Sequence, residues 1–120
     1  MIKQIEQQTI DLYVKAVDLA KSKAGLSNQD KVLLNRFKML LRSGATEDAD
    51  NELAQMGKVR RTTLHTIREL AESVFEDWVR NLDVDDTERE RMLYEGRRRA
   101  DVTEEYLLNQ LKNQGIILEN

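Results

Sequence analysis

Cysteine and proline are both absent from this 120-residue chain, which carries one histidine, His65, one tryptophan and only five glycines. Without cysteine there are no disulfide frameworks, thiolate zinc sites, iron–sulfur clusters or cysteine nucleophiles. A lone histidine rules out a metal site built on a histidine pair from one chain. At an average usage of about 5%, a chain of this size would hold roughly six prolines. Their absence, with 34% charged residues, points to long helices joined by short turns. No apolar run approaches the roughly 18 residues of a membrane span. The start, Met1-Ile2-Lys3-Gln4-Ile5-Glu6, has no apolar signal core. A soluble cytoplasmic protein is expected, with one domain over residues 1–120 and a core that needs no staple.

The net charge of −3 conceals a segregated distribution. Residues 1–57 balance eight bases against eight acids. Lys58, Arg60, Arg61 and Arg68 then form an acid-free island, and residues 69–93 follow with nine acids against three arginines. A protein that coats nucleic acid without specificity is basic overall, so any nucleic-acid contact here has to be local.

Apolar spacing reads as helix throughout. From Lys3 to about Lys23, Ile5, Leu12, Ala16 and Leu19 form one stripe and Ile10, Tyr13, Val17 and Ala20 another, before Gly25. Ser27 with Asp30 spells a capping box for a second helix, with Leu33, Leu34, Phe37, Leu40 and Leu41 inward and a stop near Gly44. Thr46 caps a short third helix carrying Ala49, Leu53, Ala54 and Met56 as far as Gly57. A fourth, from about Arg61 to Leu82, is the cleanest and pairs with the first to frame the core. Asp85 with Glu88 opens a fifth, highly charged and read as peripheral, which Gly96 ends or kinks. Asp101 or Thr103 caps a last helix through Leu111, closed by Gly115. The apolar tail Ile116-Ile117-Leu118 is expected to dock on the core or on a partner subunit. The fold class is therefore all-α, a single-domain bundle of five to six helices.

Little here resembles catalytic machinery. The glycines stand singly at helix ends, which is a capping pattern and not a phosphate loop. His65 has neither the Glu-x-x-His pairing of di-iron bundles nor a second histidine nearby. No catalytic residue, metal or cofactor is expected. Arg60 and His65, with four residues between them, resemble the Arg…His motif of HEPN-type ribonucleases, small all-α dimers, which implies a role for the pair at a scissile phosphate. Arg97-Arg98-Arg99 fans around its helix and reads as a solvated or salt-bridged cluster with Glu95 and Asp101.

A longer resemblance runs from Asn51 to Leu70. Leu53-Ala54, Val59, Leu64 and Ile67 stand at the spacings of the helix-turn-helix of prokaryotic regulators, giving a candidate motif over 46–70. In that family an apolar–Ala pair closes the first helix and three apolar residues fill the angle to the recognition helix. The resemblance implies that Arg61, Thr62, His65 and Thr66 face the major groove, and that Lys58, Arg60 and Arg68 hold phosphates. The expected function is a small non-enzymatic regulator binding duplex DNA as a homodimer. The alternatives are a helical adaptor or inhibitor of phage or plasmid type, meeting a protein partner through its acidic face, and the HEPN-like ribonuclease.

Overall fold

Helix starts follow the side-chain caps. In a computed structural model describing residues 2–22, 25–44, 46–116 and 118–119, five helices form: α1 (Ile2–Lys21), α2 (Asn28–Leu41), α3 (Glu47–Ala54), α4 (Arg61–Arg80) and α5 (Asp86–Asn113). The Ser27 hydroxyl accepts from the Asp30 amide while the Asp30 carboxylate accepts from the Ser27 amide, completing the capping box. Thr46 caps α3 through the Ala49 amide, and Asp85 caps α5 through Glu88. The chain is all-α. Among the described residues the one extended pairing is a two-residue parallel match of β1 (Val59–Arg60) with β2 (Leu118–Glu119). Among the described residues, no helix is long and apolar enough to cross a membrane.

The five helices close on one core. Tyr13, Ala16, Val17 and Ala20 of α1 meet Leu64, Ile67, Ala71, Phe75 and Val79 of α4, with Leu33, Leu34, Phe37 and Leu41 of α2 completing the interior. Tyr13 stacks on Phe75 with ring centroids 4.6 Å apart. The inward face of α1 includes Val14, and Leu19, expected inward, is 44% exposed. Thr9 and Thr103 are buried without orphaned hydroxyls, because each donates 2.7 Å to the carbonyl four residues earlier.

The fifth helix departs most from expectation. It runs unbroken through Gly96, so the described helices number five, and it is central rather than peripheral. Met92, Leu93, Gly96, Ala100, Thr103, Leu107 and Leu111 make one continuous buried stripe against α1, α2 and α4. Gly96 is there for contact. A Cβ at that position would lie 2.3 Å from Phe75 Cε2, so the missing side chain lets α5 approach α4. Asp101 and Thr103 are interior helix residues and cap nothing. The end of α2 also differs, since Ser43 and not Gly44 takes the left-handed conformation (φ 66°), with Arg99 donating to its hydroxyl and to the Leu41 carbonyl.

The tail docks on its own chain. Ile116 is buried, and Leu118 stands in register with Val59; Ile117 lies outside the described residues. One buried charge went unread in the sequence. Arg36, 1% exposed on the inner face of α2, reaches Asp50 of α3 at 2.8 Å and Gln110 of α5 at 3.0 Å, tying three helices together.

Candidate nucleic-acid interface

The basic island lies where β1 hands over to α4. Val59 is buried and pairs with Leu118, which pins the backbone just before the helix. Arg60 is the N-cap residue (φ −92°, ψ 142°), yet its side chain makes no capping bond, and the first turn holds no acid. Opening N–H groups without a side-chain cap, together with the positive end of the helix dipole, favour an anion. Lys58, Arg60, Arg61, Thr62 and Thr66 are all exposed around this end. The Thr66 hydroxyl donates to the Thr62 carbonyl at 2.8 Å. The start of α2 lies alongside, and a groove between the two helices is lined by Gln29, Asp30, Lys58, Arg60 and Thr63. Asp30 brings an acidic residue to it.

His65 and Arg68 face elsewhere. Arg68 is largely buried against α5, with Nη1 2.6 Å from Asp101 and 2.7 Å from Glu104, and Nη2 3.4 Å from Glu72. Burial works against its charge, but the Glu104 hydrogen bond and the surrounding carboxylates outweigh it and hold the guanidinium's pKa above the usual range. Burial likewise raises the Glu72 carboxyl, although Arg68 opposes the shift. His65 has both ring nitrogens engaged, Nδ1 by Glu104 at 3.2 Å and Nε2 by Glu69 at 3.1 Å. The Glu104 hydrogen bond, and then its charge, push the imidazole pKa upward. The seven candidate residues therefore divide into two groups. Five surround the start of α4, while two sit on the α4–α5 seam.

The helix-turn-helix anchors divide similarly. Leu53, Val59, Leu64 and Ile67 are buried, as that motif requires. Ala54, expected at the crossing, is exposed, because α3 turns Ala49 and Leu53 onto α2. Residues 55–60 form the connection, longer than the three or four residues of the usual motif.

The Arg97-Arg98-Arg99 run fans out to three places. Arg97 pairs with Glu76 at 3.0 Å, Arg98 with Glu95 at 2.8 Å, and Arg99 closes the end of α2. Asp101, expected beside them, binds Arg68 instead. Carboxylates from Glu69, Glu72, Glu76 and Glu104 lie between this run and the start of α4, so it does not extend the basic surface. At the far end of α4, residues 77–90 hold six acids against two arginines. Of those two, Arg89 turns inward and donates to the carbonyls of Val79, Leu82 and Val84. One long helix thus separates a basic end from an acidic one.

Comparison with family models, with curated proteins and with solved structures finds no match to this chain.

Proposed function

We propose that this chain is a small non-enzymatic regulator that binds duplex DNA through the start of α4. The observation that carries the reading is the exposed cluster of Lys58, Arg60, Arg61, Thr62 and Thr66 around a helix N-terminus whose first turn holds no acid and whose N-cap side chain makes no bond. Lys58, Arg60 and Arg61 hold phosphates, and Thr62 and Thr66 lie toward the base edges. His65 and Arg68 leave the contact set and act as supports. A non-enzymatic role is favoured because the ring nitrogens of His65 lie against Glu104 and Glu69 of the same chain and not beside Arg60. Three phosphate contacts predict a slope of log affinity against log salt of about −2.7, or roughly a 40-fold loss between 50 and 200 mM salt. Fluorescence anisotropy with a labelled random duplex measures this directly. The combined Lys58→Ala, Arg60→Ala, Arg61→Ala variant should lose binding and its salt dependence. No binding by the native chain at low salt, or unchanged binding by the triple variant, refutes the reading.

A second reading rests on the opposite end. The acids from Asp77 to Glu90 cluster at the α4–α5 turn, where they could meet a basic protein partner. Crosslinking that survives the triple substitution but fails after charge reversal at Asp83, Asp86 and Glu90 would favour the adaptor over the DNA binder.

A further inference from the structure

Four large apolar side chains are exposed among the described residues, and three of them lie on α5: Tyr94 (65%), Val102 (55%) and Tyr106 (51%). With Arg98 and Glu105 they fall within an arc of about 120° on the outer face of that helix. No other described helix covers the arc. Within the tail, Ile116 is already buried in the chain's own core.

We propose that the outer face of α5 binds a second copy of this chain in an antiparallel, two-fold arrangement centred beside Val102. The charge order along the helix selects this occupant. An antiparallel pair with its axis level with residues 101–102 places Arg98 of each copy across from Glu105 of the other, twice by symmetry. Glu105 enters no ion pair among the described residues, and half-exposed Arg98 has only its own-helix neighbour Glu95 and a distant Glu6 at 3.9 Å. The same register brings Val102 against Val102 at the axis. It sets Tyr94 of one copy on the Tyr106–Asn109 turn of the other, with Arg97 beside the Tyr106 ring. A parallel pair would stack Arg98 on Arg98 and Glu105 on Glu105. Two like-charge approaches oppose the pairing: Asp101 toward its symmetry mate beside the axis, which the Arg68 bound to each Asp101 offsets, and Arg91 toward Lys112 at the solvated ends of the contact, where salt screens it. A groove bounded by Leu40, Ser43, Val102 and Tyr106 gives the incoming aromatic side chain room. A contact of one helix face lies at the small end of specific interfaces, so a micromolar-class equilibrium between monomer and dimer is expected.

Sedimentation velocity on the full chain from about 10 µM to about 1 mM tests the proposal. A concentration-dependent dimer is expected. Val102→Glu, Arg98→Glu and Glu105→Arg should each raise its dissociation constant by about tenfold or more, since the first buries a carboxylate against its symmetry mate and the others set like charges across the 98–105 pairs. Mixing Arg98→Glu chains with Glu105→Arg chains should restore association, because both cross-pairs become complementary. Circular dichroism melts establish that the single variants remain folded. A monomer throughout the range, a dimer indifferent to Val102→Glu, or failure of the two folded swaps to rescue one another each overturns the proposal.

Discussion

Replacing Gly96 with alanine puts a methyl group 2.3 Å from Phe75 Cε2 and 2.6 Å from Cζ, where carbon atoms in contact normally sit about 3.5–4 Å apart. In an exposed helix the change would stabilise by about 1 kcal/mol through backbone entropy. Here the gain is opposed by overlap of more than about 1 Å with a ring that has nowhere to go. Phe75 is 1% exposed and backed by the Tyr13 ring. Overpacking by one methyl costs about 1–3 kcal/mol, and this geometry belongs at the upper end. The net expectation is a loss of about 2 kcal/mol, which for a domain of this size lowers the melting temperature by about 8 °C. Urea denaturation followed by circular dichroism gives the free energy, and a differential scan gives the temperature. In a Phe75→Leu background the alanine should cost at least about 1 kcal/mol less, a coupling a double-mutant cycle resolves. A Gly96→Ala variant as stable as the native chain would show that α4 and α5 do not need this close approach.

Other outcomes follow from single contacts. With its pKa held above 6.5 by Glu104, His65 contributes stability that is fully present below pH 6.5 and fades as pH rises through the raised value. A proton NMR titration should place its midpoint above 6.5, and Glu104→Gln should bring it down; an unmoved midpoint would discount the contact. Asp50→Ala leaves the buried Arg36 guanidinium with Gln110 as its remaining partner and should cost about 1–3 kcal/mol, whereas Arg36→Met removes the charge and keeps the packing, so it should cost less. The reverse order in urea midpoints would contradict that account. Ser27→Ala removes half of the capping box and should lower stability by about 1 kcal/mol, read as a shifted urea midpoint with an unchanged slope.

The five helix starts were legible because caps and apolar spacing act over a few residues. Ser27, Thr46 and Asp85 each serve the amide three residues on, and that chemistry is contained within the chain segment. Gly96 was misread for a matching reason. A glycine followed by three arginines has the local marks of a helix end, while its partner Phe75 is 21 positions away in sequence. Arg36 was missed because its partners Asp50 and Gln110 sit on two other helices. The candidate interface was half legible. The island of Lys58, Arg60 and Arg61 stands out as a run of charge, but whether each basic residue faces water or a carboxylate depends on what lies across the helix.

Composition, charge order and apolar period alone determined an all-α chain with α1 and α4 as its long partners and a basic segment ahead of an acidic one. These properties depend on residues close in sequence, where backbone geometry leaves few choices. The tertiary structure decided that α5 is a single central helix, that Ile116 joins the chain's own core, and that His65 and Arg68 turn toward Asp101 and Glu104. Each of those outcomes depends on residues more than 20 positions apart meeting across packed helices, and only packing fixes which faces meet.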